Sequence, residues 1–268
     1  MREVQVGIVG GTKGMGRWFA RLLEGRGYPV HVTGRTSGMT LPELAALCKV
    51  VVVSVPIRAT CAVIEEVGPH MRKEALLMDL TSLKVQPVKA MLESSESEVI
   101  GCHPLFGSQV ESIQGHHVVL CPARADRWLP WLREIFVGSG ASVVETTPEK
   151  HDVMMAAVQG LNHLNTVAMG LVMAALGMTV AELKQFTTPI FETKTEIMCK
   201  VFCDNPGLYA DIIALNPNMD RVVEEYGRII ATLGGLVANR NAERLSAIME
   251  EAADALFRGK GIPDCAQK

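Results

Sequence analysis

Apolar residues along the first half of the chain fall into short runs that alternate between two periods. Val4 to Val9, Tyr28 to Thr33, Val50 to Val55, Ala75 to Asp79, Glu98 to Cys102, His117 to Cys121 and Ser142 to Glu145 read as strands. Between them, apolar positions recur at helical spacing in Arg17 to Glu24, Leu41 to Leu47, Ile57 to Val67 and Pro87 to Leu92. A further helix carries Trp128, Trp131, Leu132 and Phe136. The valine run from Val50 to Val53 is the near-continuous apolar pattern of a strand buried on both faces of a parallel sheet. This alternation predicts an α/β fold with a Rossmann-like, doubly wound sheet.

After Thr146-Thr147-Pro148-Glu149 the strand pattern stops. Thr147 suits an N-cap and Pro148 a first helical turn, opening one long helix to about Met173. Its polar residues include His151, Asp152, Gln159, Asn162, His163 and Asn165, with Gln159 and His163 four apart on one face. Helices follow over Val180 to Phe186, Glu192 to Phe202, Gly207 to Ala214 and Arg221 to Phe257, with a break at Thr187 to Phe191. The expected division is a dinucleotide-binding Rossmann-like domain over 1–147 and an all-α domain over 148–268. The second is expected to bind substrate and, by analogy with other Rossmann-plus-helical chains, to form a homodimer.

Composition narrows the picture. The 268 residues are 48% hydrophobic and 21% charged, with net charge −3, which suits a globular protein and argues against a nucleic-acid partner. No apolar run approaches the roughly 20 residues needed to cross a bilayer, and Met1 to Val6 moves straight into a strand pattern rather than a secretory leader. The seven cysteines are scattered, which reads as reduced thiols and a cytoplasmic location. Cys199 and Cys203 lie a helical turn apart, but no neighbouring ligands complete a tetrahedral site, so no metal is expected.

Two stretches carry candidate chemistry. Gly10-Gly11-Thr12-Lys13-Gly14-Met15-Gly16 joins the first strand to the first helix, where glycines let backbone approach a pyrophosphate and helix N–H groups point at it. The spacing is G-x-x-G-x-G rather than G-x-G-x-x-G. No acid stands at the end of the second strand to hold a ribose 2′-hydroxyl. Arg35, with Thr36 and Ser37, suits a 2′-phosphate instead, so NADP is expected ahead of NAD. Val55 and Pro56, at the third strand's carboxyl end, are expected to line the cofactor site. The second stretch is Gly101-Cys102-His103-Pro104-Leu105-Phe106-Gly107-Ser108. It puts an imidazole, the side chain suited to take a proton near neutral pH, at the carboxyl end of the fifth strand.

Together with Asp79-Leu80-Thr81-Ser82-Leu83-Lys84, Gln159-Gly160-Leu161-Asn162-His163, Pro189-Ile190-Phe191-Glu192 and Leu208-Tyr209-Ala210-Asp211-Ile212, these stretches resemble the prephenate dehydrogenases. The likeness runs over nearly the full length, and is strongest to the short archaeal-type form. It implies oxidative decarboxylation of prephenate, or of its amino counterpart arogenate, with NAD or NADP. It further implies that His103 is the catalytic histidine and that Ser82 orients it. His163 and Gln159 would stand near the substrate, and Lys84 would supply charge in the cleft. Many bacterial relatives carry an arginine after Pro-Ile-aromatic to grip a substrate carboxylate, whereas this chain has Glu192. Lys194 or Lys200 is then expected to take that task, or Glu192 to meet the amino group of arogenate. The alternatives are another Rossmann-plus-helical NADP oxidoreductase, such as a β-hydroxyacid dehydrogenase or imine reductase, and a non-catalytic nucleotide-binding module.

Overall fold

The computed structural model of the chain describes residues 4–34 and 39–257. The seven strands β1 (Val6–Val9), β2 (Val30–Thr33), β3 (Val50–Val53), β4 (Leu76–Asp79), β5 (Glu98–Pro104), β6 (His117–Arg124) and β7 (Ser142–Glu145) form one sheet. Their order is β2-β1-β3-β4-β5-β6-β7, with β1 to β5 parallel, β6 antiparallel to β5, and β7 parallel to β6. The helices α1 (Gly14–Gly25), α2 (Leu41–Leu47), α3 (Ile57–Val67), α4 (Val85–Ser94) and α5 (Trp128–Val137) connect them. The valines of β3 show why the sheet is covered on both faces. Val50 and Val52 join a core with Phe19, Leu23 and Phe136, while Val51 and Val53 join a second with Leu44, Ile64 and Met91. Successive strand side chains point to opposite faces, so an unbroken apolar run needs an apolar layer on each side.

In a sheet of this order the direction of winding reverses between β1 and β3, and ligands bind in the crevice outside those two carboxyl ends. The chain leaves β1 through Gly10 at φ +82°, and a Cβ there would lie 2.1 Å from the Ser54 carbonyl oxygen just past β3. A Cβ on Gly16 would meet the Gly10 carbonyl at 2.7 Å. Both glycines are therefore required by close approach of backbone to backbone.

Two expected boundaries move. β5 was read to Cys102 but continues to Pro104, because the antiparallel β6 draws His103 opposite Val119 and Pro104 opposite Val118. His103 thus sits in a paired ladder and not in a loop. The long helix expected from Pro148 is interrupted: α6 (Pro148–Met155) passes into a π-helical turn at Ala156–Leu161 and then into α7 (Asn162–Ala175). The wider turn brings Gly160 so near Met219 that a Cβ would stand 2.2 Å from its sulfur. Next come α8 (Val180–Leu183), α9 (Pro189–Cys199), a second π turn at Lys200–Asp204, and α10 (Pro206–Ala214). α9 begins three residues before the expected Glu192, since the Thr188 hydroxyl accepts from Phe191 N and Pro189 suits the first turn.

One compact unit runs to Met219 and a second begins at Asp220. In the second, the single run expected to Phe257 is a pair of helices, α11 (Met219–Ala238) and α12 (Ala242–Phe257). Arg240 takes φ +53° at the break, and the Asn241 carboxamide oxygen accepts from Arg244 N to start α12. Among the described residues no single helix is long and apolar enough to cross a membrane.

Gly10→Ala should destabilise the sheet unit by about 1–3 kcal/mol or more, because the conformation and the Ser54 carbonyl both oppose a methyl group. Urea denaturation of the variant beside the wild type measures the loss; an unchanged midpoint would contradict the packing described.

Candidate active site

His103, 3% exposed, is the focus of a hydrogen-bonded chain that begins at a carboxylate. Asp152, on the first turns of α6, accepts Lys84 N on Oδ1 at 2.8 Å and Val85 N on Oδ2 at 3.0 Å, capping the start of α4. The same Oδ1 lies 2.7 Å from His151 Nδ1. His151 Nε2 in turn lies 2.9 Å from His103 Nδ1. A carboxylate can only accept, so His151 Nδ1 donates to it and Nε2 is left as an acceptor. His103 Nδ1 must then carry the shared proton, which leaves the Nε2 lone pair of His103 facing outward from this chain. The tautomer of a buried imidazole is thereby set by a group two links away. The outward nitrogen meets the Gln159 amide nitrogen at 3.4 Å.

Burial, followed by the charges of His151 and Lys84, holds His103 well below the ordinary imidazole value of 6.5. The shift favours its neutral, proton-accepting form. Burial also lowers His163, on α7, whose ring stands edge-on to Tyr209 of α10 with centroids 4.8 Å apart. Gln159 Oε1 and His163 Nδ1 are both buried without a hydrogen-bond partner. Buried polar atoms are seldom left unpaired, so a polar ligand is the natural complement of this wall.

Other expected residues fare differently. Ser82 is half-buried in the loop after β4, but both nitrogens of His103 are engaged by His151 and Gln159, and the serine hydroxyl has no hydrogen bond. Lys84 does not put charge into a cleft. It is fully buried, paired with Asp79 and donating to the Cys102 carbonyl at 3.0 Å. A buried ammonium without a partner is too costly to persist, and Asp79 at the end of β4 supplies one. Lys194 is exposed on α9 and forms no hydrogen bond or ion pair with these groups. Cys102, adjoining His103, is fully buried and its thiol is pushed up by burial, so it is packing and not a nucleophile.

The cofactor stretch has the geometry of an anion cradle. Thr12, Lys13 and Gly14 are exposed, Met15 is half-buried, and Gly11 and Gly16 are buried beneath them. α1 starts with no side-chain cap and no acid in its first turn, so its first N–H groups and positive dipole end are open to phosphate oxygens. Val55 and Pro56 flank this turn, with Val55 Cγ1 3.1 Å from where a Gly10 Cβ would be. Arg35, Thr36 and Ser37 lie outside the described residues. His151 and Asp152 appear in the sequence only as polar positions near a helix start. Adjacent helical residues diverge by about 100°, so spacing gave no hint that they act in series. The ion pair between Arg58 on α3 and Asp211 on α10, 2.7 Å apart, was likewise unforeseen.

Comparison with known proteins follows this geometry. Residues 36–145 match the family model described as prephenate dehydrogenase, nucleotide-binding domain, and residues 147–251 match prephenate dehydrogenase, dimerization domain. The chain is 36% identical to the probable arogenate/prephenate dehydrogenase of Methanocaldococcus jannaschii, over 94% of this chain and 60% of that one. It is 36% identical to the T-protein of Haemophilus influenzae, over 77% of this chain and 55% of that one. The chain thus spans somewhat over half the length of these curated relatives. Among solved structures, the A. aeolicus prephenate dehydrogenase in complex with hydroxyphenyl propionate and NAD+ shares the fold, with TM-score 0.73 and 22% identity over 94% of this chain and 96% of that one. Synechocystis arogenate dehydrogenase shares it with TM-score 0.70 and 20% identity over 94% and 98%.

Lys84→Met should cost about 3–5 kcal/mol, because Asp79 would remain buried without its cation; chemical denaturation reads this directly. A second measurement tests the burial of neutral His103. Its contribution to stability is fully present above the unfolded value near 6.5 and is lost as pH falls below it towards the folded value. Denaturation midpoints from pH 7 down should fall more shallowly in His103→Asn than in the wild type. Parallel curves would show that His103 is not the linked group.

Proposed function

Because the chain belongs to the prephenate dehydrogenase family, we propose that it oxidatively decarboxylates prephenate or arogenate, passing hydride to a nicotinamide dinucleotide. The observation that carries this reading is the Asp152–His151–His103 chain, which turns the Nε2 lone pair of His103, near the carboxyl end of β5, towards the Gln159 side of the site. The turn from Gly10 to Gly16, with Val55 and Pro56, would hold the dinucleotide, whose nicotinamide would supply the hydride acceptor. His103 Nε2 takes the proton of the ring hydroxyl as its carbon gives up hydride and becomes a carbonyl carbon. Loss of carbon dioxide from the opposite ring carbon would then send its electron pair through the ring to the carbonyl oxygen, which takes the proton back from His103 as the ring becomes aromatic. Gln159 and His163 line the substrate's other side, and Ser82 approaches the ring hydroxyl from the loop after β4.

NADP is the proposed cofactor. The first acid after β2 is Glu43, and its carboxylate is committed to the Thr40 N–H and hydroxyl at 2.8 Å each, so it is not offered to a ribose. Arg35, Thr36 and Ser37 would take the 2′-phosphate. The proposed functional division is a dinucleotide-binding part over 1–147 and a substrate-binding part over 148–268 whose helices join two copies. Leu171, Val172, Leu176, Phe186 and Ile190 there are each more than half exposed, as expected of a face covered by a partner. Unpaired thiols at all six described cysteines favour a reducing compartment, and the cytoplasm is proposed.

His103→Asn should lower turnover by about 10²- to 10⁴-fold with cofactor affinity little changed. Since a protonated imidazole cannot accept the hydroxyl proton, the wild-type rate should fall with acid, on a limb lying below pH 6.5. The decisive assay follows cofactor reduction at 340 nm (the absorbance of reduced nicotinamide) with each substrate and each of NADP and NAD. A folded protein that reduces neither cofactor with either substrate overturns the proposal.

A further inference from the structure

Lys84 is closed in a buried pair with Asp79, which directs attention to other cations near the crevice. Arg58 stands on the second position of α3, four residues beyond Ser54, whose carbonyl marks the β3 side of the switch point. Its Nε donates to Asp211 Oδ1 at 2.7 Å. The Arg58 side chain is 68% exposed while that of Asp211 is 13% exposed, and neither terminal guanidinium nitrogen of Arg58 makes a hydrogen bond. An arginine held through Nε alone is fixed in direction yet still presents its two Nη groups, the pair that matches the two oxygens of a carboxylate or phosphate.

The residues packed around this pair tie it to the site. Asp211 shares α10 with Tyr209, whose ring lies on His163. His163 lies one turn after Gln159, which reaches His103. α10 is therefore an element with contacts to α3 on one side and to the Gln159–His163 wall on another. The unpartnered buried atoms of that wall, Gln159 Oε1 and His163 Nδ1, point independently to a polar ligand beside it.

We propose that Arg58, oriented by Asp211, is an oxyanion-binding residue of this cleft, taking a carboxylate of the substrate or a phosphate of the dinucleotide. The proposal rests on the reaction assigned above and names a charge partner for its ligands. Asp211 is the positioning residue: it neutralises one edge of the guanidinium and turns the other outward.

Arg58→Gln and Asp211→Asn are tested by direct titration, so that turnover is not needed for the readout. NADPH binding is followed by its fluorescence, and binding of the aromatic keto-acid product, 4-hydroxyphenylpyruvate, to the protein–NADP complex is followed by calorimetry. Loss of an ionic, two-pronged contact should weaken one of the two ligands about 10- to 100-fold in Arg58→Gln. Weakened product binding identifies a carboxylate; weakened NADPH binding identifies a phosphate. Asp211→Asn should weaken the same ligand to a smaller degree, and Arg58→Lys should recover only part of the affinity. If Arg58→Gln lowers the melting temperature while leaving both affinities unchanged, the pair is structural only and the proposal fails. A wild-type protein that binds these ligands but oxidises neither substrate would instead count against the assigned reaction, with the titrations of Arg58→Gln still deciding the role of Arg58.

Discussion

The Asp152 carboxylate is the point on which the site depends. It is 1% exposed, and it satisfies two backbone N–H groups at the start of α4 together with the imidazole of its neighbour His151. Its own backbone carbonyl receives the Asn216 carboxamide at 2.7 Å. One residue thus joins the sheet's α4, the helix that leaves the sheet, and the loop after α10. Because its lone pairs are filled by fixed backbone donors, its geometry towards His151 cannot drift. The catalytic candidate inherits that rigidity at second hand. Helix capping and imidazole orientation are here one device, and removal of the carboxylate would disturb both.

The sheet was legible because strands buried on two faces leave an unmistakable apolar run and because glycine turns mark where backbones meet. The site was legible in part. His103 was found from its place after a strand, yet its rigidity was not, since the ladder that includes it is made with β6, a partner many residues away. Lys84 was misread for a comparable reason. A lysine in a polar loop looks like charge offered to solvent, and only the register that puts Asp79 beside it reveals a closed pair. The π turn left no mark, because Ala156 to Leu161 has the composition of any apolar helix. What demands it is the tight approach of Gly160 to Met219, a tertiary constraint.

That turn has a consequence for the wall opposite His103. In a regular helix Gln159 and His163 would share one face and present themselves alike. The inserted π turn changes the phase between α6, which carries His151 and Asp152, and α7, which carries His163. His151 can then face the sheet while Gln159 reaches His103 Nε2 and His163 turns towards Tyr209. A helix of unbroken 3.6-residue period would fix the angular relation among all four residues and leave no freedom to adjust it. π turns recur at functional sites for this reason.

Strand order then sets how the two candidate regions lie across the sheet. The switch-point crevice opens between β1 and β3, whereas His103 lies near the end of β5, with β4 between. Adjacent strands are spaced by about 4.8 Å, so β3 and β5 stand roughly 10 Å apart. Between them lies the end of β4, where Asp79 and Lys84 are paired and fully buried. The pair brings no net charge to the end of β4. The sign of the local field is left to groups at the rim, and it is burial first of all that holds His103 well below the ordinary imidazole value. On the proposed reaction, a base held neutral in this way accepts the hydroxyl proton as the hydroxyl's carbon loses its hydride, which couples the proton transfer to the redox step.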